Sequence, residues 1–334
     1  MLTLVIAGTL CIAFNIAPAL AQEGSTLYIY DDYTFTDVIY EPIVVCADNI
    51  VIDGNGYTLQ GPGPWVWPPT YGFRLSGRKG VTIKNVVIEG WVYGICAGGS
   101  DGNTLSDNTI SGNLLGVYLE FCDSNTLSDN TMSDNWSKGI LAFACEDNTL
   151  SGNKISSNYI GIELSSLCHH NLIYHNNILD NELTQAIDIM ADNYWHHPDL
   201  LEGNYWSDYP GVDDGSGTGK HAIAGDLIGD TDIPWPEPYM DNYPLMLTWI
   251  TDPVEETQEL IETIESWNFP KGAENCLTSK LDGAIRLLNM GNVNGAIHKL
   301  GDFIKQVENN RKDLTEEQRS ELIQTAQAII FSMS

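Results

Sequence analysis

Asn103-Thr104-Leu105-Ser106-Asp107-Asn108-Thr109-Ile110-Ser111-Gly112-Asn113 recurs as Asn125-Thr126-Leu127-Ser128-Asp129-Asn130-Thr131-Met132-Ser133-Asp134-Asn135, and again over residues 148–158. A more divergent copy opens with Asn171-Leu172-Ile173 and runs through Asn176 and Ile178. Successive copies start 22, 23 and 23 residues apart. Upstream, residues 82–90 fit one copy earlier, and Asn49-Ile50-Val51-Ile52-Asp53-Gly54 opens another with a longer insertion. Each copy continues into a glycine and an alternating stretch, as in Gly116-Val117-Tyr118-Leu119 and Gly161-Ile162-Glu163-Leu164.

A period of 22–23 residues fits leucine-rich repeats or a parallel β-helix. Leucine-rich repeats carry several leucines per unit and often return through a helix. Here each unit holds two or three short runs of period-2 alternation, separated by Asn, Gly, Ser and Asp, which break strands and form turns. The reading is an all-β right-handed parallel β-helix. Coils stack ~4.8 Å apart, so equivalent residues form ladders. Leu105, Leu127 and Leu150 point inward, as do Ile110, Met132, Ile155 and Ile178. Asn108, Asn130, Asn153 and Asn176 stack in a turn and satisfy one another's amides. Cys122, Cys145 and Cys168 obey the repeat, as a ladder of buried thiols or with one neighbouring pair joined as a disulfide.

The Asn-Thr-Leu-Ser-x-Asn-x-Ile-Ser-x-Asn pattern resembles the NosD-type β-helix repeats, a group of carbohydrate-binding proteins and sugar hydrolases. The resemblance covers roughly residues 40–250. It includes Gly203-Asn204-Tyr205-Trp206-Ser207-Asp208-Tyr209, Gly225-Asp226-Leu227-Ile228-Gly229-Asp230-Thr231 and Asp241-Asn242-Tyr243-Pro244-Leu245. It implies an exported protein. Copper delivery, which the family name carries, belongs to one subgroup, and a shared repeat does not transfer it.

Composition changes near Thr251. Residues 22–251 hold 31 acidic and 7 basic residues, and the rest of the chain 14 and 8. Leu277, Leu281, Ile285 and Leu288 recur at helical spacing, as do Ile297, Leu300, Ile304 and Val307, then Leu322, Ile323, Ala326 and Ile330. Thr315-Glu316-Glu317-Gln318 reads as a capping box. Residues 252–334 are therefore a small all-α bundle following a β-helix over 22–251. Its strings Leu277-Thr278-Ser279-Lys280-Leu281 and Asn294-Gly295-Ala296-Ile297-His298-Lys299-Leu300 resemble the FIMAH module, which implies an accessory role in attachment or spacing.

The 334 residues carry 45 Asp+Glu against 15 Lys+Arg, a net charge of −30. Such a chain lacks the basic footprint of a nucleic-acid binder and is repelled by anionic lipid. Residues 1–21 are uncharged and end Ala19-Leu20-Ala21, the pattern of a signal peptide. The mature protein is then secreted or at the cell surface, with no membrane segment after cleavage.

Exposed aromatic rings in loops on a rigid scaffold stack on sugar faces. Trp65, Trp67 and Tyr71 in a Pro/Gly-rich insertion, with Trp195 and Trp206 in twin Asn-Tyr-Trp motifs, are the candidate ligand residues. The Trp206 block also reads as an end cap, which a solenoid needs. Asp213, Asp214, Asp226, Asp230 and Asp232 alternate with glycine turns and form a candidate Ca²⁺ site. His169, His170, His175, His196, His197 and His221 make copper a less favoured alternative. No catalytic residue is assigned. Stacked coils place carboxylates near one another everywhere, so acidic pairs do not mark a glycosidase. The Asn-Thr-Asp, Gly-His-Gly and Arg-x-Lys signatures of polygalacturonase-like hydrolases are absent from the chain. The predicted partner is a polysaccharide or surface glycan, with a carbohydrate-active enzyme, a copper-handling protein and a structural surface protein as alternatives. Asn135-Trp136-Ser137 is the one glycosylation tripeptide in the repeats.

Overall fold

A computed structural model describes residues 25–190, 192–217, 223–231, 241–310 and 312–334. The segment 1–21 expected to be a signal peptide, His221 and Asp232 lie outside the described residues. One coil explains the rest of the solenoid. Thr104–Ser106 lies in sheet B, Thr109–Ser111 in sheet C and Leu115–Glu120 in sheet A. Each strand pairs in parallel with its equivalents in the coils before and after: Leu105 lies beside Leu127, and Ile110 beside Met132. Among the described residues, sheets A and B have eight strands each and sheet C seven. The three-residue strands of sheets B and C bury their middle residue, so Leu105, Leu127, Leu150, Ile110, Met132, Ile155 and Ile178 fill the axis as expected.

Asparagine ladders run along all three corners of the coil, not only the one predicted. They are Asn103-125-148-171-193, Asn108-130-153-176-204 and Asn113-135-158-181. Asn130 shows the chemistry. Its Oδ1 accepts from the backbone N–H and the Nδ2 of Asn108, at 3.1 and 2.9 Å. Its own Nδ2 donates to Leu105 O at 2.8 Å and to Asn153 Oδ1 at 3.0 Å. A turn that would otherwise bury unpaired backbone groups is thereby satisfied. At one corner the ladder lies against a glycine column, Gly94, Gly116, Gly139 and Gly161. A Cβ on Gly116 would sit 2.5 Å from Gly139 O and 3.1 Å from Asn135 Nδ2.

Each ladder ends on a different acceptor. Asn193 donates to the Asp188 carboxylate, Asn181 to Gln185 Oε1, and Asn204 to Asp241. Trp206 Nε1 also donates to Asp241, at 2.9 Å. Burial pushes the Asp241 carboxyl up to about 7, against hydrogen bonds from Trp206 and Asn204 that favour the anion. The raised value means that the folded state holds this proton where the unfolded chain has lost it. The associated stability is whole below the ordinary value of 3.8 and is lost as pH rises through 7. Up to about 4 kcal/mol is at stake. The thermal midpoint of the wild type is expected to fall between pH 5 and pH 8, and Asp241→Asn to flatten that slope.

The C-terminal region is four helices, α1 (Pro253–Ser266), α2 (Lys271–Asn289), α3 (Val293–Asn309) and α4 (Glu316–Ser332). Asp252 caps α1 by accepting from Val254 and Glu255 N–H, with Pro253 opening the helix. The Thr315/Gln318 capping box opens α4 as expected. Leu277, Leu281, Leu300, Val307, Leu322 and Ala326 are buried, but Ala296 and Phe303 sit deeper than Ile297 and Ile304. Trp249 joins the two parts. It exchanges two hydrogen bonds with the Asn177 side chain, stacks on His175 with ring centroids 3.5 Å apart, and meets Phe331 of α4 edge-on.

Candidate functional site

The outer face of sheet A carries a row of half-buried tyrosines. Its six-residue strands place Tyr71 beside Tyr93 and Arg74 in line with Cys96, Tyr118, Leu141 and Glu163. Tyr71 and Tyr93 stack with centroids 5.2 Å apart, and Tyr118 follows at 5.8 Å. Arg74 lies over the Tyr71 ring, and Lys138 pairs with Glu163 at 3.4 Å. Burial raises the phenols: Tyr93 titrates above its ordinary value, and Tyr118, with Glu120 beside it, is pushed up to about 12. Both stay neutral hydroxyls, able to donate and accept.

Above this face, at the corner where sheet C passes into sheet A, the 61–70 insertion folds along the solenoid. Trp65 contacts Trp136 edge to face at 5.8 Å, although both rings are more than 60% exposed, at 68% and 62%. Trp67 is 88% exposed, and Tyr159 follows Trp136 one coil on, at 45%. Trp65 and Trp67 are thus exposed rings of the insertion and Tyr71 a half-buried one on sheet A, with Trp65 against Trp136 and Tyr71 against Tyr93. Trp136 sits inside the Asn135-Trp136-Ser137 tripeptide. The tripeptide is no accessible glycosylation site, because Asn135 is buried and its Nδ2 is bonded to Ile110 O and Asn158 Oδ1.

Trp195 and Trp206 require a correction. They are 1% and 4% exposed and pack on each other inside the C-terminal end of the solenoid. Their indole N–H groups serve Asp188 and Asp241. Neither ring offers a face to a ligand; both close the core. The thiols of Cys122, Cys145 and Cys168 form a free, fully buried column along the axis, bonded through Cys122 and Cys145 to strand carbonyls at 3.3 Å. Cys145 is raised by hydrogen bonds to Cys122 and Cys168 and by burial.

The acidic loop after the last coil uses its carboxylates mainly on its own backbone. Asp213 accepts from Gly225 and Leu227 N–H, Asp214 from Ser216, and Asp226 from Ile228. Asp230 Oδ2 accepts from Asp214, Gly215 and Ser216 N–H. Its Oδ1 is buried with no hydrogen-bond partner among the described residues. Asp226 is raised by burial and by the charges of Asp213 and Asp230. The histidines separate into groups. His175 is buried against Trp249 and bonded to Glu202 at 2.6 Å, while His169 and His170 stand at the corner between sheets A and B. A cleft of 420 Å³ lies between sheet C and α1, lined by Lys154 and the acidic Asp129, Glu255, Glu256 and Glu259. Burial and like charges raise Asp129 and Glu256 there.

The family described as periplasmic copper-binding protein (NosD) matches residues 23–211, and the FIMAH domain family matches residues 254–331. No curated protein matches the chain. No helix among the described residues is long and apolar enough to cross a membrane. The NosD match spans more than half of the chain, over the coils that carry the ladders, and the chain therefore belongs to the NosD family, with a FIMAH domain as its C-terminal unit.

Proposed function

We propose that this periplasmic or surface β-helix protein is a non-catalytic scaffold that binds a glycan chain along the outer face of sheet A. The observation that carries this reading is the contact between Trp65 and Trp136. Two large apolar rings from different coils are held against each other in solvent, beside the row of tyrosines on sheet A. Burying such rings against a sugar face releases the water they now order. The tyrosine hydroxyls, Arg74 and the Lys138–Glu163 pair supply polar contacts along the same line. From Tyr71 to Lys138 the strip crosses three coil steps, about 14 Å at ~4.8 Å per step.

Ca²⁺ belongs to this proposal as a stiffener of the C-terminal loop. The buried Asp230 Oδ1, without a hydrogen-bond partner among the described residues, forms with Asp226 and Asp213 a set of hard oxygen donors whose mutual repulsion a dication would relieve. Copper delivery, the role in the family's description, would need soft donors for Cu(I). The three ladder thiols lie sealed in the core, and Met132 with them. Cys276, Met190 and Met290 are exposed, but among the described residues no cysteine joins a group of three metal donors. Delivery of the reduced ion is therefore not the reading favoured.

Native electrophoresis through gels holding different polysaccharides tests the proposal. Retardation in at least one gel is expected, and weaker retardation in the presence of a calcium chelator. A cleared track would mean depolymerisation and overturn the non-catalytic reading. Unaltered mobility in every gel would remove the support for glycan binding.

A further inference from the structure

The corner between sheets B and C carries Asp107, Asp129, Gly152 and His175 at one repeat position, just before Asn108, Asn130, Asn153 and Asn176. All four have positive φ, from 56° to 68°. Aspartate and histidine reach that dihedral here, so the glycine is not needed for it. It is needed for room: a Cβ on Gly152 would press into Asp129 Oδ1 and sit 3.2 Å from Thr251 Cγ2. The segment 249–251 passes over this step and runs back along the corner. Trp249 stacks on His175, itself bonded to Glu202, and Thr251 covers Gly152 one coil earlier. Between them Ile250 turns the other way. Its N–H donates to Ser332 Oγ of α4 at 2.8 Å, and its side chain belongs to the helical core. The strap is thus shared by both parts and delivers α1 to sheet C.

There the two parts face each other with like charge. Asp129 from the solenoid and Glu255, Glu256 and Glu259 from α1 line one cleft with Lys154, four carboxylates to one ammonium. Asp107 lies one coil before Asp129, and Asp252 is committed to capping α1. We propose that this junction is a pH-dependent latch: the helical domain lies against sheet C while the carboxylates of the cleft hold protons, and comes away as they ionise. Burial, then the charge of Asp107, raises Asp129. Burial, then the charge of Glu259, raises Glu256 against the lowering effect of Lys154. Both groups therefore hold a proton more tightly when docked than when released. Docking is strongest below their ordinary values of 3.8 and 4.5 and weakens as pH rises through the raised ones. Solenoid and helices each have a core of their own, so release moves a domain and unfolds neither part. Neither the aromatic strip on sheet A nor a bound Ca²⁺ is needed for the latch.

The test is limited proteolysis of the dilute full chain between pH 5 and pH 8 in the presence of a chelator, with cleavage within residues 248–252 followed by mass spectrometry. Cleavage of the strap tracks the released population. Wild type and the double variant Asp129→Asn/Glu256→Gln are compared at each pH, which cancels the protease's own pH dependence. Equal rates are expected at pH 5. At pH 8 the strap of the double variant is expected to be cleaved roughly tenfold more slowly than that of the wild type. Gly152→Asp, which puts the residue of the preceding coils under Thr251, is expected to be cleaved fast at both pH values with an unchanged circular dichroism spectrum. Equal rates for wild type and double variant at pH 8 would overturn the proposal, since any pH dependence left would then belong to His175 or to the Asp241 cap. So would cleavage of Gly152→Asp at the wild-type rate at pH 5.

Discussion

Asn153→Ala is expected to destabilise the solenoid by about 4 kcal/mol, the cost of leaving two buried backbone groups unpaired. The substitution removes the Oδ1 that accepts from the Asn130 backbone N–H and the Nδ2 that donates to Leu127 O, at 3.1 and 2.8 Å. Both orphaned groups lie inside the stack, where water cannot replace the amide. Ser128→Ala, on the outer face of the same sheet, should change stability by less than about 0.5 kcal/mol. Chemical unfolding followed by circular dichroism compares the two. Equal effects would mean that the asparagines decorate the coil and do not hold it.

A loss of similar size, about 3 kcal/mol, is expected for Gly116→Ala, because the new methyl meets backbone and not a movable side chain. The added Cβ lies 2.5 Å from Gly139 O, and the Asn135 amide behind it is locked into its ladder. Relief requires the coil spacing to open at that corner. Gly98→Ala is the control: it lies in the neighbouring coil of the same sheet and would meet nothing within 4 Å. An unchanged unfolding midpoint for Gly116→Ala would show that the corner is not close-packed.

The two expectations share a cause that explains which parts of the molecule are legible in sequence. A solenoid converts sequence period directly into spatial contact, so the Asn108 series could be placed in a turn from the alignment alone. The same alignment spells out the Asn103 and Asn113 series, and the five-residue spacing within each repeat was the signal for them. Non-periodic positions behave otherwise. Trp195 and Trp206 look like loop aromatics in sequence, and their burial follows from Asp188 and Asp241, which receive their indole N–H groups. Asp241 lies across a long loop from Trp206, so no local pattern links them. Trp136 was hidden by its place in a glycosylation tripeptide, and only the fold sets it against Trp65. The pair of His169 and His170 was visible, but the carboxylates that meet them come from the coils on either side.

The glycan proposal rests on where the exposed rings stand, and hydroxyl-radical footprinting reads that most directly. The protein would be oxidised with and without the polysaccharide that retards it, and modified residues located by mass spectrometry. Protection of Trp65, Trp67, Trp136 and Tyr93 is predicted, with Tyr40 and Tyr194, exposed away from the outer face of sheet A, oxidised equally in both samples. Protection confined to the helical domain or to the threonine and serine face of sheet B, with the four strip residues unchanged, would contradict it.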